Sequence, residues 1–262
     1  MKKTLSKFIA AALVLVLALS LVGFAPADAA ETPQLTTSAS PATEYLPYDY
    51  HHASTDYCKT FTGEEGNQVI VESYIDRVVL VGFGKGIKKI NKTLKTIARY
   101  FYNDYGVDGI YEYAQAAVEG GVDKEIYFDY VYMGVTYMGT KYVSIDSSFN
   151  WYAGGVTNIM SNGLVFDLKT GKKKTITAVT GLKEAEIKSK LIETIKKSGM
   201  FGDFYDEYAD KISEYVDSLT AKDINFIINR EGKIVIIVPP YTDPFFGGAS
   251  IEFVLDDVYV AE

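Results

Sequence analysis

The sequence predicts an α+β fold, with antiparallel sheet and helices packed on one face of it. Segments rich in aromatic and β-branched residues fill the middle and the end of the chain, where they indicate strands. Two pairs of segments with apolar residues at spacings of three and four indicate helices. The predicted order is one strand, two helices, four strands, two helices and three strands (β-αα-ββββ-αα-βββ).

Residues 1–29 are predicted to be a signal peptide and not part of the fold. Three lysines precede an apolar run over residues 8–25, and Ala27-Asp28-Ala29 has the small residues of a signal-peptidase site. Cleavage is expected after Ala29. The alternative is an uncleaved anchor, because the run reaches the lower limit for spanning a bilayer. We therefore expect a secreted or cell-wall-associated protein, which touches a membrane only if this segment is retained.

A flexible leader is expected over residues 30–61. Residues 30–46 are rich in threonine, serine, proline and alanine, and the polar and aromatic residues that follow show no clear period. The leader is expected to end where a first, smaller α+β domain begins, and that domain is predicted to cover residues 62–140.

The smaller domain is predicted from one strand and two helices. Apolar residues alternate over 69–81, which is typical of a strand. A glycine-rich turn then leads into a helix whose apolar residues recur from Ile87 to Phe101 at spacings of three and four. A shorter helix is predicted from Asp108 to Glu119, where Gly120 and the next glycine end it.

A second α+β domain is expected over residues 141–257, followed by a tail at 258–262. The middle strands lie on both sides of the boundary between the two domains. The predicted strands are 126–132, 142–145, 147–152, 164–168, 224–228, 234–238 and 249–255, and the predicted helices are 183–198 and 203–219. Asn229-Arg230-Glu231-Gly232 is predicted to be the turn of a hairpin.

The charge balance argues against nucleic acid as a partner. The chain has 26 lysines and arginines against 34 acidic residues, and removal of residues 1–29 leaves 23 against 33, a formal net charge of −10. Binding to phosphates needs a basic surface. A negative surface favours encounter with a basic protein. The simpler interpretation is that it keeps an exported protein soluble.

No catalytic, metal or cofactor site is predicted. The two histidines, His51 and His52, lie near Asp56 and Cys58, but the spacing fits no standard zinc pattern. Cys58 is the only cysteine, which excludes an intrachain disulfide. Acidic residues are numerous, but closeness in sequence does not bring two carboxylates together in space, as glycoside hydrolysis requires.

Two loops that combine aromatic residues with paired glycines are the predicted ligand-binding sites. One follows the predicted strand 147–152, and the other precedes the last strand. Aromatic side chains in loops bring large contact area at low entropic cost, and a carboxylate beside them suits a basic partner. The alternative is that these rings cover the sheet edge as part of the core. The predicted contact residues are Trp151, Tyr152, Tyr241, Asp243, Phe245 and Phe246.

The stretch from Lys141 to Asp257 carries an ordered set of short motifs. They are Tyr142-Val143-Ser144-Ile145, Gly154-Gly155 with Asn158, Val165-Phe166-Asp167-Leu168-Lys169-Thr170-Gly171-Lys172, and Ile234-Val235-Ile236-Ile237-Val238-Pro239-Pro240-Tyr241. In this order they resemble the extracellular domain of lysozyme-sensing anti-sigma factors of Gram-positive bacteria. A similar domain precedes the catalytic domain of some peptidoglycan deacetylases. The stretch from Val69 to Thr140 resembles the smaller domain that comes before it.

The resemblance implies a free-standing, exported, non-catalytic binding domain of a Gram-positive cell envelope. The implied ligand is a protein such as lysozyme, or a peptidoglycan fragment, and Asn158 joins the loop residues as a candidate contact. Neither sigma-factor control nor deacetylation by this chain is implied. Two other functions stay open: an envelope hydrolase that uses paired carboxylates, and a structural or assembly protein whose tyrosine-rich sheet edge pairs with another chain.

Overall fold

The computed structural model describes residues 47–100 and 107–261, so the predicted signal peptide and residues 30–46 lie outside the described residues. The strands are β1 (Pro47–Thr62), β2 (Gln68–Gly82), β3 (Glu125–Met138), β4 (Tyr142–Tyr152), β5 (Asn158–Asp167), β6 (Phe226–Ile228), β7 (Lys233–Val238) and β8 (Ile251–Tyr259). The helices are α1 (Lys85–Tyr100), α2 (Val107–Glu119), α3 (Ile176–Thr180), α4 (Glu184–Lys197) and α5 (Tyr205–Ser218), with a 3-10 turn at Gly202–Phe204. The predicted α+β class and the order of its elements are confirmed.

The predicted leader, residues 30–61, is wrong from residue 47 onward. Residues 47–62 form β1, which pairs with β2 along nearly its whole length. β1 is the edge strand of its sheet, and most of its side chains are exposed on both faces. An edge strand of this kind has no buried face to impose alternation on the sequence, which explains why no period marks it.

Two further predicted boundaries differ from the structure. The last strand reaches Tyr259, two residues into the predicted tail at 258–262. The domain boundary between residues 140 and 141 falls in the turn between β3 and β4, and these two strands pair with each other in one sheet. The boundary therefore does not separate two sheets.

The first five strands form one sheet in sequence order, β1-β2-β3-β4-β5. All pairs are antiparallel except β2 and β3, which run parallel from Val69 opposite Glu125 to Asp76 opposite Tyr132. The exception to the predicted antiparallel sheet follows from the chain path. The segment between β2 and β3 contains α1 and α2, and such a crossover can return a strand in the same direction, which a tight hairpin cannot.

α1 and α2 pack on one face of this sheet. The apolar stripe of α1, which includes Ile90 and Leu94, is fully buried against side chains such as Val131 and Ile145. α2 packs beside it on the end of the sheet near Val69. Both helices thus bury a narrow apolar face and leave their charged residues in water, as the 3-4 spacing predicts.

The last three strands form a second sheet in the order β6-β7-β8, covered by α4 and α5 on one face. Alternate residues of β6 and β7 face the two helices. The other face contacts the five-stranded sheet, where a side chain at Gly163 would overlap the carbonyl oxygen of Phe226. Asn225 fixes this junction: its Nδ2 donates to Ser161 O at 2.8 Å, and its Oδ1 accepts from Gly163 N at 2.7 Å.

The described residues contain no helix long and apolar enough to cross a membrane.

Candidate functional site

The loop between β7 and β8 is held against the start of β5. Ile159 N donates to Gly248 O at 3.0 Å, and Ser250 N donates to Ile159 O at 3.1 Å. Within the loop, Tyr241 N donates to Gly247 O at 2.8 Å. These backbone hydrogen bonds add the loop to the edge of the five-stranded sheet, so its side chains are presented from a fixed framework.

Tyr241 and Asn158 meet at this junction. Tyr241 Oη donates to Asn158 Oδ1 at 2.5 Å, and Asn158 Nδ2 donates to Val156 O at 3.1 Å. Asn158 is buried, and it lies opposite Trp151 in the pairing of β4 with β5. The fold therefore brings Tyr241 to Asn158, another predicted site residue that lies 83 positions away in sequence. The Tyr241 ring itself is exposed.

Phe245, a predicted contact residue, is not available at the surface. Its ring is 2% exposed and lies in the core beneath α5, with ring centroids 5.5 Å from Tyr215 and 5.9 Å from Phe253. The neighbouring Phe246 is 70% exposed. One of the two adjacent aromatic residues therefore anchors the loop in the core, and the other faces solvent.

Trp151 and Tyr152 are half-buried at the end of β4. Trp151 packs against the core beneath α1. Tyr152 Oη donates to Glu125 Oε1 at 3.1 Å, and its ring lies 5.9 Å from that of Phe128. Only part of each aromatic surface is open to a ligand, as the core alternative predicts.

Asp243 is exposed but already has a cation beside it. Lys211 of α5 places its Nζ 3.1 Å from Asp243 Oδ2. Both side chains are more than half exposed, so water screens the pair and its contribution to stability is small. A basic partner that reached Asp243 would have to displace Lys211, which limits the contribution of this carboxylate to the free energy of binding.

An apolar groove of about 510 Å³ lies beside the loop, and no sequence pattern indicates it directly. Met200 and Phe204 line one side, and Phe246 lines the other. Phe204 is 61% exposed, Met200 is 45% exposed, and both precede α5. The sequence predicts a helix from residue 203, which places Phe204 in its first turn and Met200 before it. Gly199 and Gly202 instead have positive φ, and the resulting 3-10 turn displays Phe204 outward.

The structure offers two buried carboxyl groups, but neither lines the groove. Burial raises the pKa of Asp129 to about 7 and that of Asp146 to about 7. Asp146 lies between the two sheets, where Ser161 Oγ donates to its Oδ1 at 2.7 Å and the charge of Glu252 raises its pKa further. Within residues 47–100 and 107–261, no group of three His, Cys, Asp or Glu side chains could hold a metal ion.

The fold is similar to that of a solved DUF3298 protein. A member of the DUF3298 family from Bacteroides fragilis matches with a TM-score of 0.54 at 11% sequence identity, over 83% of this chain and 96% of that chain. A DUF3298 family protein from Pseudomonas aeruginosa gives a TM-score of 0.47 at 13% identity, over 82% of this chain and 92% of that chain. No protein-family model matches the chain, and no curated protein matches it. At this identity, the likeness to the Bacteroides protein shows a shared fold.

Proposed function

We propose that this chain is an exported, non-catalytic binding domain of the cell envelope, which recognises a protein such as lysozyme or a peptidoglycan fragment. One observation carries the proposal: large apolar side chains stand exposed around a loop that is itself firmly held. We call this surface the loop patch. It consists of Phe246, Met200 and Phe204, which line one groove, and of the exposed Tyr241 in the same loop as Phe246.

The loop patch has the properties of a binding surface. Exposed large apolar groups that form a contiguous patch mark interaction sites more often than isolated ones do. Tyr241 is fixed by Asn158, and Phe246 follows the buried anchor Phe245. A partner that covers these rings therefore gains apolar contact and loses little entropy in ordering the loop. Aromatic residues of this kind often dominate the affinity of an interface.

The charge and the motif resemblance support a basic protein partner. The chain has a formal net charge of −8, which attracts a positively charged protein such as lysozyme and speeds its encounter. The motifs from Lys141 to Asp257 resemble the extracellular domain of lysozyme-sensing anti-sigma factors. A peptidoglycan fragment is the second ligand considered, because the Tyr241 ring and the Asn158 amide could meet the face and the hydroxyls of a sugar.

The proposal is tested by calorimetric titration of the purified protein with lysozyme and, separately, with muropeptides, at low and moderate salt. We expect saturable binding to one of them. Phe246→Ala should weaken that binding about tenfold, since loss of one well-placed aromatic contact costs on the order of 1–2 kcal/mol. Phe83→Ala is the matched control, because Phe83 is 72% exposed and lies at the start of α1.

Each outcome bears on the proposal. Binding that Phe246→Ala weakens and Phe83→Ala leaves unchanged supports the loop patch. Binding that both variants leave unchanged supports a binding domain but contradicts this surface. If neither ligand gives heat at either salt concentration, the proposal is contradicted, and turnover of peptidoglycan becomes the next assay.

A further inference from the structure

A second unusual surface lies on the face of β1, β2 and β3 that is opposite to α1 and α2. Its groove has a volume of about 480 Å³. We call this surface the acidic–aromatic face. It consists of Asp56 of β1, Glu72, Tyr74 and Asp76 of β2, and Tyr130 and Tyr132 of β3.

The strand register arranges these residues in three rows across the sheet. Glu72 lies opposite Phe128, Tyr74 lies between Asp56 and Tyr130, and Asp76 lies opposite Tyr132. Each row thus holds one carboxylate and at least one aromatic ring. Successive rows are two residues apart along the strands, which corresponds to a spacing of about 7 Å.

The aromatic rings form a continuous wall beside the carboxylates. The Tyr74 and Tyr132 ring centroids are 5.5 Å apart, and those of Phe128 and Tyr130 are 4.8 Å apart in a stacked pair. Tyr130 Oη donates to Glu72 Oε2 at 2.8 Å. Burial and the nearby Glu72 raise the pKa of Tyr130 to about 12, so its hydroxyl keeps its proton and Glu72 acts as an acceptor.

Among the described residues, one basic side chain lies within ion-pair distance of a carboxylate of this face. His52 Nδ1 lies 2.8 Å from Asp76 Oδ2. Lys59, the lysine of β1, points to the other face of the sheet, where its Nζ lies 4.5 Å from the Phe61 and Tyr111 ring centroids. The face therefore offers carboxylates between aromatic rings, and it lies on a chain whose net charge is already negative.

We propose that the acidic–aromatic face binds an extended, cationic segment of a partner protein, with lysine or arginine at alternate positions. Alternate side chains of an extended segment are about 7 Å apart on one side, which matches the spacing of the three rows. The aliphatic stem of each basic side chain packs against a tyrosine ring while its charged end meets the carboxylate of that row. This surface is separate from the loop patch, and the inference does not depend on it.

The test uses an acetylated and amidated hexapeptide that alternates arginine and threonine, titrated into the purified protein by calorimetry. We expect saturable binding that weakens with salt. A peptide with three consecutive arginines should bind at least threefold more weakly, because its charges do not match the rows. A peptide with glutamine in place of arginine should show no binding.

Variants of the protein locate the site. Asp56→Asn and Glu72→Gln should each weaken binding of the alternating peptide at least threefold, and Tyr132→Ala should do the same. The matched controls are Glu112→Gln and Tyr113→Ala on α2, which are exposed on the opposite face of the sheet and should leave binding unchanged. Asp56 is exposed, so its variant should keep the fold, and circular dichroism checks this for each variant.

Three results would overturn the inference. The first is no binding of the alternating peptide. The second is equal loss in the control variants and in the variants of the face. The third is that the peptide does not bind and a neutral chitin tetrasaccharide does, with binding that Tyr132→Ala weakens. The face would then recognise a glycan. None of these results depends on lysozyme or on the loop patch.

Discussion

Asp146 makes the stability of this fold depend on pH, and replacement by asparagine should remove the part of the dependence that comes from this carboxyl. The side chain is 3% exposed between the two sheets, and burial raises its pKa from an ordinary value of 3.8 to about 7. The folded protein therefore holds this proton more tightly than the unfolded chain does. Stability is then highest when the carboxyl is protonated in both states, and it falls as the pH rises from about 4 to about 7.

The magnitude follows from the two pKa values. A shift of about three pH units, at 1.36 kcal/mol per unit, costs the folded protein about 4 kcal/mol at pH 8. At about pH 5 the loss of stability is only about 1.5 kcal/mol, because this pH is only about one unit above the pKa of the carboxyl in the unfolded chain. Asp146→Asn keeps an acceptor for the Ser161 hydroxyl and cannot ionise. Relative to the natural chain, it should gain about 2.5 kcal/mol more stability at pH 8 than at pH 5.

Urea denaturation of both proteins at the two pH values measures this difference. The raised pKa of Asp129 contributes equally to both proteins and cancels. Asp210→Asn is the control, because Asp210 is exposed on α5 and should show no such dependence on pH. If Asp146→Asn changes the free energy of unfolding by the same amount at both pH values, the argument from burial is refuted.

Two further substitutions test how the layers are joined. Asn91→Leu should lower the free energy of unfolding by about 2–3 kcal/mol. The reason is that Asn91 of α1 accepts from Leu80 N at 2.9 Å and donates to Leu80 O at 2.8 Å. A loss below about 0.5 kcal/mol in urea denaturation would contradict this role. Gly163→Ala should cost at least about 3 kcal/mol, or prevent folding, because the new methyl group would overlap the Phe226 carbonyl. The control Gly109→Ala meets no atom within 4 Å and should stabilise α2 by about 0.5–1 kcal/mol. A thermal melt that ranks the two glycine variants equally would count against the close approach of the two sheets.

The helices were predictable because their sequences carry a repeated pattern. One face of α1 is buried, which requires apolar residues at spacings of three and four, as at Ile87, Ile90 and Leu94. This spacing is visible in the sequence. The strands β3, β4 and β7 were predictable from their aromatic and β-branched content. In each case a local pattern and the buried surface coincide.

The features that were missed depend on contacts between distant residues. β1 is recognisable only from its pairing with β2, since most of its side chains are exposed on both faces. The parallel pairing of β2 and β3 is set by the crossover between them, which no local pattern describes. Phe245 and Phe246 are adjacent and chemically equal, so only the core beneath α5 decides which one is buried.

The candidate sites follow the same division. Tyr241, Asn158 and Phe246 were predicted from composition and resemblance, but their contribution depends on the hydrogen bonds that join the loop to β5. Phe204 lay in the first turn of a predicted helix, 203–219, and Met200 lay in the short segment before it. The acidic–aromatic face has no sequence signal at all, because its members come from three strands and meet only through the register.

The two proposed surfaces differ in how their partners would depend on salt, and this follows from their chemistry. The loop patch offers mostly apolar area. Glu207 also lines its groove, and the neighbouring Asp243 already has Lys211 beside it. Binding there should therefore change little with ionic strength. The acidic–aromatic face holds Asp56, Glu72 and Asp76, and among the described residues one basic side chain, His52, lies within ion-pair distance of them. Binding of a cationic partner there should therefore weaken strongly as salt screens the charges. If one partner covered both surfaces, the binding that remains in the Phe246→Ala variant would be sensitive to salt. The binding that remains in the Asp56→Asn variant would be less sensitive to salt than that of the natural chain.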